Sequence, residues 1–359
     1  MPTESVEKTA KYGQVAEEAG FANMWLSTSA PHMRETLMVI CGIASQTKKI
    51  GVGLIATSPY ERHPSTLAAE MLTINDVFPE RARIAIGHGV DLKLKMFGIE
   101  PKHSVKNLRE IIDVVKQLSS GQPVTYDGKF AKVNALKFPW AKPFPVYSAA
   151  NSPISLRMSG EVADGTMLAY LTPEYARYAG EEMWGAAAKA GRDRKDVELL
   201  VQPVFVMRKD SDEALRVAKG VEPKGDGIRP TPKAYLFYIS SAMFSSKESR
   251  ALERLGLDRD EVEAVTTVRD TMDIDVLMNG QGDLDKLNAL VDPALEDKIC
   301  RNVAVVGNPE ECIQKIKEYE KAGVSEVTLG LPGPGDKLEV IREAVAAVKN
   351  DVMPHFDSD

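Results

Sequence analysis

Short, almost wholly apolar runs alternate with amphipathic stretches through most of this 359-residue chain, and that alternation limits the possible folds more than any other feature. The apolar runs suit strands buried on both faces, whereas the intervening stretches space their apolar residues along one side of a helix. Seven strands are expected, at 21–26, 49–57, 83–86, 145–148, 165–169, 197–207 and 326–329. Helices are expected at Val6–Ala19 with Gly20 as the stop, at Arg34–Gln46, and from Pro64, a good first-turn residue, to about Val77. Val105, Leu108, Ile111, Ile112, Val115 and Leu118 form a further helical stripe. Helices follow at Pro153–Val162, Pro173–Ala190 and Glu310–Ala322, with a last one carrying Leu338, Ile341, Val345 and Val348. Parallel strands covered by helices follow from this order. A (β/α)8 TIM barrel needs an eighth strand, and because the chain opens on a helix, the missing one is the first. An open, seven-stranded doubly wound sheet is the rival that spacing alone leaves standing.

Two segments break the rhythm. Residues 121–142, with turn signals at Gly121-Gln122-Pro123 and Tyr126-Asp127-Gly128, suggest a small hairpin. Residues 211–298 are charged and helix-prone, with breaks at Pro223, Gly225, Gly227, Pro230 and Pro232; they read as a helical insertion before the last βα unit. Residues 1–359 are thus expected to form a single barrel domain.

A chain with 43% apolar and 27% charged residues can bury a large core. Its formal charge of −7 argues against nucleic-acid partners, which demand a basic footprint. No apolar run reaches membrane-spanning length and no signal peptide opens the sequence, so a cytoplasmic protein without a membrane partner is expected. Cys41, Cys300 and Cys312 lack CxxC spacing and suit reduced, buried thiols. His32, His63, His88, His103 and His355 show no ligand spacing, so no metal is expected.

Gly51-Val52-Gly53-Leu54-Ile55-Ala56 matches the GxGxxA dinucleotide fingerprint, but Thr57-Ser58-Pro59-Tyr60-Glu61-Arg62 intervenes before any helix start, so its glycines lie inside a strand. Such glycines more often mark a bulge or a close backbone approach. Gly87-His88-Gly89 ends a strand, where a barrel keeps its chemistry; a simple turn needing glycine is the plainer alternative. His63 could do no more than start the next helix. Ser148-Ala149-Ala150-Asn151-Ser152-Pro153 is a small-residue turn into a helix, suited to an anion or, more simply, to a cap by Asn151 or Ser152. There is no GxSxG, paired catalytic carboxylate or P-loop lysine motif.

Together these segments resemble the bacterial-luciferase-like superfamily. The resemblance covers nearly the whole chain: AEEAGFANMWLS (16–27), GVGLIATSPYERHPSTLAAEMLTIND (51–76), RARIAIGHG (81–89), FPVYSAANSPISLRMSGEVADGTML (144–168) and VVGNPEECIQKIKEYEKAGVSEVTLG (305–330). The coenzyme F420-dependent branch, and in it the methylenetetrahydromethanopterin reductase family, is the nearest pattern. The resemblance implies a TIM barrel with F420, or alternatively FMN, at the C-terminal rim, and hydride transfer to a small-molecule substrate. It implies cofactor-binding positions at Ser27, Thr28, Leu54, Ile55, Ala56, Thr57, Gly87, Gly89, Ser148, Ala149, Ala150 and Asn151, and a non-proline cis peptide between Ile55 and Ala56. His88 and Asp91 are the candidate catalytic residues it leaves at the rim. Ser27-Thr28-Ser29 and Val90 stand where the branch carries acidic residues, and the first strand would precede Met1 or be absent. An FMN-dependent monooxygenase and a non-catalytic flavin-binding or partner-subunit paralogue are the alternatives. The relatives' habit implies a homodimer or larger homo-oligomer.

Overall fold

Strand β2 (Gly51–Thr57) takes β1 (Asn23–Ser27) on one edge and β3 (Ala82–Gly87) on the other, both parallel to it. The sheet continues through β6 (Val146–Ala149) to β7 (Gly165–Ala169), again all parallel. The computed structural model describes residues 4–28, 34–89, 91–100, 104–149, 151–219, 255–271, 292–330 and 338–356; the side chains of 91, 92, 266 and 268–271 stand outside that description. By contact the chain divides into two compact units, Met1–Met167 with Glu181–Leu199, and Leu168–Gly180 with Leu200–Asp359.

In the first unit the helices are α1 (Val6–Ala19), α2 (Thr36–Gln46), α3 (Pro64–Val77), α4 (Asp91–Met96), α5 (Val105–Ser119) and α6 (Pro153–Val162). Their ends are capped as the sequence suggests. Gly20, at φ 95°, closes α1, and the His63 side chain accepts from Ser65 N at the start of α3 with Pro64 in its first turn. Of the two cap candidates for α6, Ser152 is the one used: its hydroxyl accepts from Ser155 N at 3.2 Å. One face of the sheet buries Leu26, Val52, Leu54, Ile84, Ile86 and Val146 against apolar residues of α2, α3 and α5. The expected hairpin is present as β4 (Val124–Asp127) and β5 (Lys132–Leu136), its turn held by the Glu110 carboxylate, which accepts from three successive backbone N–H groups.

The opposite face holds larger polar residues, and there the two strand glycines find their reason. A Cβ on Gly51 would stand 2.0 Å from Asn23 Oδ1, and one on Gly53 would stand 2.2 Å from the Trp25 ring. The glycines of the GxGxxA match therefore make room for β1 side chains and form no nucleotide turn.

The start of β2 is fixed from two sides. Glu17, on α1, accepts from the backbone N–H groups of Lys48, Lys49 and Ile50. The buried Arg81 guanidinium donates to the carbonyls of Ala44, Thr47 and Ile50. A tight turn with few partners of its own thus has its donors and acceptors met by side chains.

In the second unit the expected strand 197–207 proves to be two. β8 (Glu198–Gln202) and β9 (Val204–Met207) are separated at Pro203, which has no N–H for a ladder. The end of β8 pairs with β11 (Glu326–Val327), whereas β9 pairs with β10 (Ala304–Gly307), a parallel strand the sequence reading missed because it directly abuts a helix. Helix α7 (Pro173–Lys189) lies between β7 and β8 in the chain, and within 211–298 the described helices are α8 (Ser211–Ala218), α9 (Arg259–Thr271) and the first part of α10 (Pro293–Val303). The last long helices are α11 (Pro309–Lys321), opened by a capping box of Asn308 and Glu311, and α12 (Leu338–Ala347). No helix among the described residues is long and apolar enough to cross a membrane.

Burial pushes the Glu17 carboxyl up, but the three N–H donors outweigh it and hold its pKa below the ordinary value. A depressed carboxyl contributes stability that is present above the unfolded pKa and lost as pH falls through the folded one. Glu17→Gln should therefore lower stability by about 1–2 kcal/mol at pH 7. In urea titrations at descending pH, the gap from wild type should close below about pH 4.

Candidate functional site

Parity along the strands sorts the rim residues into two sets. Leu54 pairs with Ile84 and Thr57 with Ile86, so both lie on the helix-covered face, and both are completely buried. Ser148 belongs to the same set. Its hydroxyl shares hydrogen bonds with Ser159 of α6 at 2.5 Å and Thr166 of β7 at 2.8 Å, all three buried. These residues support the rim from behind. The Thr57 hydroxyl has no hydrogen-bond partner among the described residues.

On the other face the strand ends carry Ser27, Ala56, Gly87 and Ala149. A Cβ built on Gly87 would meet the Ala149 carbonyl at 2.9 Å and the methyls of Ala149 and Ala56 at 3.4 Å, so the three strands close up without a gap. One layer towards the strand starts, Trp25 and Tyr147 meet edge to face, with centroids 5.8 Å apart at 70°. Beneath them Arg83 Nε donates to Asn23 Oδ1 at 2.5 Å, and the Tyr147 hydroxyl donates to Glu198. On β1 and β6 side-chain size therefore drops from indole and phenol to hydroxymethyl and methyl within one layer, which leaves a shallow floor at the C-terminal strand ends.

The floor is bent by the backbone of β2. Its register against β3 shifts between Leu54 and Thr57, and the Ile55–Ala56 peptide is cis, at the position the family resemblance implied. Thr28 grips this bulge: its N–H donates to Ile55 O at 3.2 Å and its hydroxyl to Ala56 O at 2.6 Å. Past Gly87, the turn runs through the half-buried His88 to Gly89, at φ 88°, where a Cβ would meet Ser58 Oγ at 2.7 Å and Leu94 at 2.9 Å. Asn151 is buried in the turn before α6. Asp91 opens α4, but its side chain, like the whole of Ala150, lies outside the described residues.

The sequence reading missed Lys93 and Glu61. Lys93 Nζ lies 2.6 Å from Glu61 Oε2, with side-chain exposures of 7% and 10%, and also donates to Thr28 O. Neither residue breaks an expected pattern, and thirty-two positions separate them, so no local signal could have joined them. No cluster of metal-ligating residues occurs among the described residues, and burial pushes the Cys300 and Cys312 thiols up to about 12.

The model of the luciferase-like monooxygenase family matches residues 1–326. The chain belongs to this family. Among its relatives, the 5,10-methylenetetrahydromethanopterin reductase of Methanopyrus kandleri is 28% identical, over 99% of this chain and 97% of the relative. The Archaeoglobus fulgidus protein of the same name is 26% identical, over 96% and 94% respectively. A solved structure described as the coenzyme F420-dependent tetrahydromethanopterin reductase from Methanopyrus kandleri superposes with a TM-score of 0.77 at 26% identity, covering 99% of this chain and 97% of that one. The parallel α/β arrangement is thus the luciferase-like fold, and the open doubly wound alternative falls away.

The luciferase-like rim rests on the hydroxyl cluster behind it. Ser148→Ala would leave Ser159 and Thr166 short of a buried partner and should cost about 1–2 kcal/mol, read as a shift in the urea midpoint.

Proposed function

We propose that this chain is an oxidoreductase that passes hydride between coenzyme F420 and a small organic substrate, with a pterin carrying a one-carbon unit as the model substrate. The observation that carries this reading is the floor of Ser27, Ala56, Gly87 and Ala149, which bears nothing larger than a hydroxymethyl group and admits not even a methyl at Gly87. A planar tricyclic ring fits such a surface, one face on the strand ends and the other free for substrate. Similarity over nearly the full length of a coenzyme F420-dependent reductase of known structure favours the deazaflavin over FMN.

When bound, a deazaflavin supplies a ring carbon that gives or takes a hydride and reacts poorly with oxygen. The chain's own contribution is positional. Ala56, Gly87 and Ala149 would support the ring, and Thr28 holds the backbone of the bulge beside them. Below them Trp25, half-buried, packs edge to face on the fully buried Tyr147 and backs the floor. His88 follows the floor directly and is our candidate for a hydrogen bond or proton at the substrate, with Asp91 the next candidate along the turn. Within a (β/α)8 plan, Asn23–Ser27 takes the second strand position and 211–298 the insertion before the last βα unit.

Titration with F420, followed by its fluorescence, should show binding at micromolar concentration or below. Binding of neither F420 nor FMN would defeat the enzyme reading, and binding of FMN alone would replace the deazaflavin by a flavin. Ala149→Trp, which fills the space above the floor, should abolish F420 binding while the protein stays folded by circular dichroism; normal affinity in that variant would mean the floor is misassigned. His88→Ala should lower turnover roughly 10²-fold with F420 affinity little changed, and an unchanged turnover would reduce His88 to a turn residue.

A further inference from the structure

The Lys93–Glu61 pair stands out because it is a charged pair in a place where burial disfavours both charges. Removing an ammonium and a carboxylate from water costs more than their attraction returns unless other hydrogen bonds are met, so such a pair is a poor way to add stability. Its geometry suggests another purpose. Lys93 Nζ has three donors. One meets Glu61, in the turn between β2 and α3, at 2.6 Å, and another meets the carbonyl of Thr28, at the end of β1, at 2.5 Å. The lysine itself stands on α4, beyond the turn that follows β3. Leu94 beside it is fully buried and packs near Gly89, and the Phe97 ring lies 5.5 Å from the ammonium. One ammonium group thus ties together the segments that leave three consecutive strands.

We propose that Lys93, held by Glu61, is the positioning residue of this rim: it fixes Thr28, and through Thr28 the Ile55–Ala56 bulge on which the ring would lie. The chain of contacts is continuous. Lys93 fixes the Thr28 carbonyl, the Thr28 N–H fixes Ile55 O at 3.2 Å, and the Thr28 hydroxyl fixes Ala56 O at 2.6 Å. An apolar residue at position 93 could fill the space but could not donate to Thr28 O. A small displacement of the supporting backbone translates directly into misplacement of a ring that reacts only at close, aligned approach. The consequence for F420 affinity rests on the function proposed above; the clamp itself does not.

The test uses the full chain and two variants. Lys93→Met alone would strand the Glu61 carboxylate, so the informative variant is Lys93→Met with Glu61→Gln, which removes both charges at similar volume. Hydrogen exchange by mass spectrometry should show segments 24–28 and 54–58 exchanging at least about tenfold faster. The β4–β5 hairpin and α5 should be unchanged. Equal acceleration everywhere, or none at the bulge, would overturn the clamp, whatever the cofactor proves to be. Should the double variant not fold, Thr28→Val reads the same link with the ion pair intact, and unchanged exchange at 54–58 would count against the proposal. With F420 as probe, the double variant should bind roughly 10- to 100-fold more weakly than wild type. Wild-type affinity in that variant would also overturn the positioning role. Failure of the wild type itself to bind F420 would defeat the proposed function and leave the exchange result to decide the clamp.

Discussion

Strand β2 is gripped at both ends by side chains that meet its backbone, and the rim takes its shape from those grips. At the start, Glu17 supplies the acceptor for three N–H groups and Arg81 the donors for three carbonyls. At the other end the ladder to β3 loses register, and the carbonyls of Ile55 and Ala56 are met by the main chain and hydroxyl of Thr28. Buried backbone groups must be paired. A strand that leaves its ladder within the protein therefore needs side chains at defined positions, and those side chains in turn need holding. Lys93 and Glu61 extend that series with a buried donor to the Thr28 carbonyl and its counter-charge.

Between these grips the sheet's uncovered face changes abruptly in size. Trp25 and Tyr147 fill the space one layer below the rim, and at the rim itself there are only Ser27, Ala56, Gly87 and Ala149. The step follows from strand alternation, because each strand shows every second residue to this face. The large residues at 25 and 147 and the small ones at 27 and 149 are two positions apart on their strands, while β3 goes from Ala85 to Gly87. The same alternation forces glycine at 51 and 53, since the Asn23 and Trp25 side chains lie over them.

Most of the fold was legible because it rests on local signals: apolar runs, helical stripes, and caps such as Gly20 and Pro64. The strand Ala304–Gly307 was not, because it is four residues long and follows a helix with no intervening turn. Pro203 divided a run that looked continuous by apolar content alone. Of the rim, the bulge and its cis peptide were legible only through family resemblance. Spacing did not separate Ala56 on the floor from Thr57 behind it, because a bulge changes strand parity and an unseen bulge sends every later side chain to the wrong face. Lys93 and Glu61 were invisible for a simpler reason: a contact between distant charges has no local signature.

These distinctions bear on what can vary at such a rim. The floor offers methyl-sized contacts and no polar side chain larger than Ser27, so under the proposed function it would support a planar ring without selecting what approaches the other face. On that proposal, selection would fall to the turns that follow the strands, where His88 and Asp91 stand and where chain variation is best tolerated. A loop that carries chemistry must still be held to the floor with a tolerance well below one bond length. An ion pair sheltered from solvent suits that requirement, because its short, directed hydrogen bonds define a position that an apolar contact of the same volume would leave loose. The clamp at Lys93 is therefore best understood as the device that lets the turn after β3 differ in sequence while its distance from the bulge stays fixed.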